Sequence, residues 1–201
     1  MGRRARGALL ATLCLFALPA CGSGGNGAFH GKTLDPPFSV PAAPLTDTSG
    51  NAFSLTADTD KPLTLVFFGY THCPDICGVV MGHLASAMTR LSVADRDQVD
   101  VVYVTTDPAR DTEPKLRRYL DHLDPGFIGL TGDLQDIVAT GKPLGVGITQ
   151  GERLPSGGYD VTHGTTITAI DSRDEAPVYW NEDTSSAQFA ADIHTLLAKG
   201  S

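Results

Sequence analysis

Two cysteines four residues apart, in Gly69-Tyr70-Thr71-His72-Cys73-Pro74-Asp75-Ile76-Cys77, are the residues of this 201-residue chain best placed to do chemistry. They follow the apolar run Pro62 to Gly69 and precede an amphipathic pattern, so they sit where a strand turns into a helix. If Cys73 to Cys77 is helical, four steps of about 100° leave the sulfurs about 40° apart on one face, one turn apart. Thiols so placed can meet each other or one metal ion. Unpaired N–H groups and the helix dipole at such an N-terminus lower a thiol pKa from about 8.5, and thiolate is the form that binds metal and attacks disulfides. Pro74 suits the first turn of that helix, where no internal hydrogen bond is lost.

The same pair could instead pack as two inert thiols, or close a permanent disulfide. A loop of four residues restricts the unfolded chain little, which leaves a redox or metal pair as the stronger reading. A metal needs a third ligand, and His163 has the best context. It lies in Tyr159-Asp160-Val161-Thr162-His163-Gly164, between a Gly-rich stretch and the strand predicted over Thr165 to Ile170. If that strand runs antiparallel to Leu65 to Phe68, His163 arrives at the edge that carries Cys73. The alternative is a histidine that merely hydrogen-bonds locally. His72 adjoins Cys73 and should point elsewhere; His83, His122 and His194 fall in helical patterns, and His30 in a tether.

The elements that must position these residues are readable by period. FSVPAAPLTDTSGNAFSL, residues 38–55, reads as a hairpin around Asp47, Ser49, Gly50 and Asn51. Pro62 to Gly69 is a strand buried on both faces, and Val80, Leu84, Ala87, Met88 and Leu91 mark a helix from Cys77. Val99 to Thr105 is a second buried strand. Pro114 opens a helix carrying Leu116, Tyr119, Leu120 and Leu123. A short strand over Phe127 to Leu130, a short helix over Leu134 to Ala139, and strands at Thr165 to Ile170 and Val178 to Trp180 follow. Ser185 and Gln188 form a capping box for a last helix with Phe189, Ile193, Leu196 and Leu197 inward. The order βαβαβ(α) then ββα predicts an α/β domain of thioredoxin-like form, a mixed central sheet flanked by helices with an N-terminal β-hairpin.

Composition narrows the function. Four cysteines in 201 residues are far too few to staple a fold, so a hydrophobic core must carry it. Arg3, Arg4 and Arg6 lie within the first 21 residues, which hold no acid; the remainder has 12 bases against 23 acids, a balance of −11. That balance, without a cluster of Lys or Arg interleaved with aromatics, argues against a nucleic-acid partner. MGRRARGALLATLCLFALPAC has a basic start, an apolar run from Ala8 to Leu18 and small residues before Cys21, which reads as an export signal over residues 1–20. The run is shorter than the ~20 residues of a bilayer span. Leu18-Pro19-Ala20-Cys21 before Gly22 resembles a bacterial lipobox, although Pro19 is unusual there. Cleavage would discard Cys14 and leave Cys21 acylated, placing the protein on the outer face of the bacterial cytoplasmic membrane. Residues 21–37 read as a flexible tether, and 38–201 as one domain.

Three motifs in order resemble the Sco/SenC copper-binding proteins that assist assembly of the dinuclear copper centre of cytochrome c oxidase. They are Phe68 to Cys77, then Thr106-Asp107-Pro108-Ala109-Arg110-Asp111-Thr112, then Val161-Thr162-His163-Gly164. The resemblance, over about Phe38 to Leu197, implies Cys73, Cys77 and His163 as ligands for copper, Cu(I) or Cu(II), and suits two soft thiolates with one imidazole. It implies a metallochaperone passing copper to oxidase subunit II, with no covalent turnover. Asp107 ends the second buried strand, where it could support the site or touch a partner; equally, Asp107-Pro108 and Asp111-Thr112 could make a turn and cap the next helix. The family often has Pro where Gly78 stands and Asp where Thr162 stands. Neither change removes a ligand, though the second removes an expected orienting partner for His163.

The main rival is a thiol-disulfide oxidoreductase that reduces the oxidase cysteines before metallation, using Cys73 and Cys77 as its redox pair. Such catalysts favour two residues between the cysteines rather than three, and do not need His163. A peroxidase would need Thr71 and Arg110 beside the attacking thiolate. A zinc site lacks an evident fourth protein ligand.

Overall fold

The computed structural model describes residues 1–2, 29–153, 155 and 159–200; most of the predicted signal, with Cys14, and the lipidation candidate Cys21 lie outside them. In chain order the elements are β1 (Lys32–Ser39), β2 (Leu45–Asp47), β3 (Ala52–Phe53), β4 (Leu63–Gly69), α1 (Ile76–Arg90), α2 (Val93–Arg96), β5 (Val99–Thr105), α3 (Glu113–Asp121), β6 (Ile128–Thr131) and α4 (Leu134–Gly141). There follow β7 (Ile148–Arg153), β8 (Tyr159–His163), β9 (Ile167–Asp171), β10 (Glu175–Trp180) and α5 (Ser186–Gly200). Eight strands make one mixed sheet in the order β1-β10-β9-β4-β5-β6-β2-β3, while β7 and β8 form a separate ribbon. The predicted thioredoxin-like α/β architecture is present.

Strand β4 is buried at every residue, and its alternation divides the core. Leu65 and Phe67 pack with Val80, Met81 and Leu84 of α1, Leu116 and Leu120 of α3, and Phe189 and Ile193 of α5. Val66 and Phe68 pack on the other face with Ile137 of α4, Leu144 and Val146. Burying each such side chain contributes roughly 1.5–3 kcal/mol, so β4 is held from both sides and its end is a firm platform.

Parallel pairing joins β4 to β5 and β5 to β6, and β9 runs antiparallel to β4 with Phe67 opposite Ile167. The start of β9 therefore lies at the C-terminal edge of β4, as anticipated. The capping box is formed: the Ser185 N–H donates to Gln188 Oε1 at 2.9 Å, and the Gln188 N–H to Ser185 Oγ at 3.4 Å.

Besides the short helix α2, which the sequence reading did not contain, two segments differ from it. Residues 32–37, expected in the tether, form most of β1, which pairs with β10. Its residues are mostly exposed and its register shifts between Thr33 and Phe38, around Pro36 and Pro37. An edge strand tolerates such prolines, and a half-exposed edge leaves little apolar period to read. His30 is likewise docked: its N–H and that of Gly31 donate to Asp192 Oδ2 at 2.9 and 2.8 Å. The second difference is the β7–β8 ribbon within the supposed Gly-rich loop; β7 is exposed almost throughout, so no core face marks it. Among the described residues no helix is long and apolar enough to cross a membrane.

Candidate functional site

The site begins where β4 stops at Gly69. A turn follows, closed by the Cys73 N–H donating to Tyr70 O at 3.1 Å, and α1 starts only at Ile76. Cys73 is therefore not helical, and Asp75 before the helix has φ −128° and ψ −86°. The two sulfurs meet for a different reason from helical spacing. The turn folds Cys73 back over the first turn of α1, where its Sγ accepts the Cys77 N–H at 3.5 Å.

This geometry separates the two thiols. Burial raises the Cys73 pKa, but hydrogen bonds from the Cys77 thiol and from the Asp75, Cys77 and Ile76 amides outweigh it and hold the group below its ordinary value. Cys77 is 1% exposed, and burial together with its bond to Cys73 pushes its pKa up to about 12. Cys73 is thus the half-exposed, acidic sulfur and Cys77 the buried one that keeps its proton. Both are free thiols.

His163 ends β8, paired with Ile148 of β7, and its Nε2 stands 3.8 Å from Cys77 Sγ. Its Nδ1 lies 2.9 Å from Gly164 O. A carbonyl only accepts, so Nδ1 carries the proton and Nε2 presents its lone pair to the sulfur. The orienting partner that Thr162 cannot supply is thus a backbone carbonyl. Burial, only partly countered by that bond, lowers the His163 pKa and keeps the ring neutral. The rings of Phe67 and Tyr70 meet it edge-on at 6.3 and 5.9 Å.

A first-row metal with bonds of about 2.3 Å to sulfur and about 2.0 Å to nitrogen, about 120° apart, would separate S and N by roughly 3.8 Å, so the Cys77–His163 edge fits. Among the described residues no three His, Cys, Asp or Glu side chains are gathered closely enough to hold a metal ion, so Cys73, Cys77 and His163 are not assembled into a ligand set in this structure.

Asp107 is buried, but it touches neither the thiols nor His163. Its carboxylate pairs with Arg110, whose guanidinium lies 5.9 Å from the centre of the Tyr70 ring, and Tyr70 in turn abuts His163. Its backbone O also accepts the Arg110 and Asp111 N–H groups, which makes the turn. Of the two residues a peroxidase would need, Arg110 is paired with Asp107 and the Thr71 hydroxyl bonds Asp111. His72 does turn away, its Nδ1 3.1 Å from Thr71 Oγ1.

Asp111 has a role that sequence reasoning missed. Helix α3 is entered at Thr112 without a side-chain cap, and Asp111, fully buried, reaches back instead. It accepts the Thr71 N–H at 2.8 Å, the Thr71 hydroxyl at 2.5 Å and the Thr105 hydroxyl at 2.7 Å. The loop carrying Cys73 is thereby tied to the end of β5. Only the side-chain acceptor surplus in Asp107-Pro108-Ala109-Arg110-Asp111 could have hinted at it. Tyr103 was also unforeseen: it reads as a core residue of β5, yet its hydroxyl borders Gly69, as Cys77 Sγ does.

The family model described as SCO1/SenC matches residues 31–198. A Saccharomyces cerevisiae relative, the mitochondrial protein SCO2, is 31% identical over 147 residues, covering 73% of this chain and 47% of that one. A Stutzerimonas stutzeri relative is 33% identical over 131 residues, covering 65% and 63%, so this chain spans about half to two thirds of the relatives it matches. The solution structure of apo Sco1 from Thermus thermophilus superposes with a TM-score of 0.77 at 27% identity, covering 86% of this chain and 99% of that one. Bradyrhizobium japonicum ScoI, solved with copper bound, gives 0.67 at 29% identity, covering 80% and 97%.

Proposed function

Because this chain belongs to the SCO1/SenC family, we propose that it is a membrane-anchored copper metallochaperone in which Cys73, Cys77 and His163 hold copper as cargo and deliver it to the dinuclear copper site of cytochrome c oxidase, on subunit II. The observation that carries this reading is the His163 Nε2 lone pair aimed at Cys77 Sγ from 3.8 Å, beside a thiol pair at the sheet edge. Two thiolates suit Cu(I), and the neutral imidazole extends the set to Cu(II). The relative solved with copper supports the choice of metal. A three-ligand site leaves the metal a position free for ligand exchange, with Cys73 the part-exposed member of the set. The lipobox ending at Cys21 supports acylation there and residence on the outer face of the cytoplasmic membrane.

Copper titration of the reduced protein tests the reading. About one copper is expected per chain, with His163→Ala sharply weakening Cu(II) binding. Wild-type affinity in that variant would remove the imidazole from the ligand set.

One observation favours a second reading, reduction of the oxidase cysteines. A half-exposed, acidified Cys73 backed by a buried, protonated Cys77 is the division of labour between an attacking and a resolving thiol. The Cys73 thiolate would form a mixed disulfide with the acceptor, which Cys77 then displaces, leaving the acceptor reduced and this pair oxidised. Efficient turnover of an acceptor disulfide that survives His163→Ala would favour the reductase.

A further inference from the structure

A buried phenol stands beside the thiol pair with nothing to bond. Tyr103 is 0% exposed, and its hydroxyl has no hydrogen-bond partner among the described residues. The Tyr119 hydroxyl, whose ring packs 5.5 Å away, also lacks a partner, so neither phenol satisfies the other. The Tyr103 ring is further fixed by Phe67, at 6.0 Å, and cannot turn its hydroxyl to water. An orphaned buried donor is costly, so its position calls for a reason.

Gly69 supplies one. A Cβ at this position would stand 2.7 Å from the Tyr103 hydroxyl and 3.1 Å from Cys77 Sγ, so both groups border the space left by a residue that has no side chain. A neutral thiol is a weak acceptor and leaves the phenol unpaired. A sulfur that carries negative charge is a strong one, and hydrogen bonds to charged acceptors are shorter and about twice as strong as neutral ones.

We propose that Tyr103 is a positioning residue whose hydroxyl is held ready to donate a hydrogen bond to Cys77 Sγ when that sulfur serves as a charged ligand. The donor is unpaired in the metal-free protein and gains its partner on metal binding, so it favours the loaded form. It acts through Cys77 and touches no metal. The inference rests on the reading of Cys77 as a copper ligand.

Tyr103→Phe removes the one oxygen and keeps the ring. In the reduced, metal-free protein the variant should unfold at a temperature equal to or above wild type, because an unsatisfied group is lost. A clear drop would show that the hydroxyl already has a partner there, and would overturn the proposal. With Cu(II) bound, the thiolate-to-copper absorption should move to lower energy in the variant, since the sulfur loses a bond that withdraws charge. Copper loss to a competing chelator should quicken on the order of tenfold. An unchanged band beside a normal wild-type band would refute this proposal alone. No thiolate-to-copper band in the wild type would refute the copper reading and this proposal together.

Discussion

Replacing Asp111 by Ala should loosen the thiol loop and destabilise the whole domain. The carboxylate is fully buried and accepts three hydrogen bonds at 2.5 to 2.8 Å, two from Thr71 and one from Thr105. Thr105 is itself 0% exposed, so its hydroxyl proton would be left without water, whereas Thr71 lies close enough to solvent to be rehydrated. Bonds to a charged acceptor contribute about 1.5–3 kcal/mol each, and the partial rehydration brings the expected loss to about 3–5 kcal/mol. For a domain of this size each kcal/mol shifts Tm by about 2–4 °C, so a fall of roughly 6–20 °C is expected. Asp111→Asn retains one carbonyl oxygen and should lose about 1–2 kcal/mol. Urea unfolding of the reduced, metal-free proteins measures all three. Copper affinity should fall in the same order, because the loop from Thr71 to Cys73 loses its tie to β5. An Ala variant within about 0.5 kcal/mol of wild type, the range of ordinary surface changes, would refute the clamp.

Iodoacetamide at neutral pH should modify Cys73 well before Cys77, since the first is acidified and half-exposed and the second buried with its pKa at about 12; peptide mapping showing equal rates would contradict the assignment. The reduced apo protein should lose stability as pH rises from the ordinary thiol value of 9.0 toward 12. In that window the unfolded chain releases the Cys77 proton, and then those of Tyr103 and Tyr119, which the folded state retains; fewer protons on the unfolded state means a negative slope. Cys73 has the opposite shift, and its contribution builds as pH rises toward 9.0 and is complete near the start of that window. A flat urea midpoint from pH 8 to 11 would refute the shift. Asp192→Ala should cost about 3–4 kcal/mol by orphaning Trp180 Nε1 and freeing His30 and Gly31, and should expose the chain before Lys32 to proteolysis; an undiminished urea midpoint with unchanged protection there would contradict that anchorage. Gly69→Ala should destabilise by about 1–3 kcal/mol, because its methyl meets the Tyr103 hydroxyl at 2.7 Å and Cys77 Sγ at 3.1 Å; full copper affinity in that variant would mean that the space is not needed.

Strand β5 lies at Val99–Thr105 and β4 at Leu63–Gly69, close to where the apolar runs place them, because a strand buried on both faces leaves an unbroken signal. Helix α1 is equally plain from Val80, Leu84, Ala87 and Met88. Strand β1 and the β7–β8 ribbon are not, since both are largely exposed and their pairing partners are remote in sequence.

At the site, the spacing of Cys73 and Cys77 after a buried strand marked the thiol pair as a redox or metal pair, while His163 entered as the third ligand through the resemblance of the ordered motifs. Their arrangement was not contained in the spacing. Cys73 reaches Cys77 through a turn that helical geometry does not describe, and Nε2 of His163 is freed by a carbonyl one residue away. The difference between the thiols, the Asp111 clamp and the unpaired Tyr103 hydroxyl depend on which groups lose water and on partners 6 to 86 positions away along the chain. A linear pattern carries chemistry and periodicity, while desolvation and hydrogen-bond satisfaction exist only once the sheet has brought those residues to one edge.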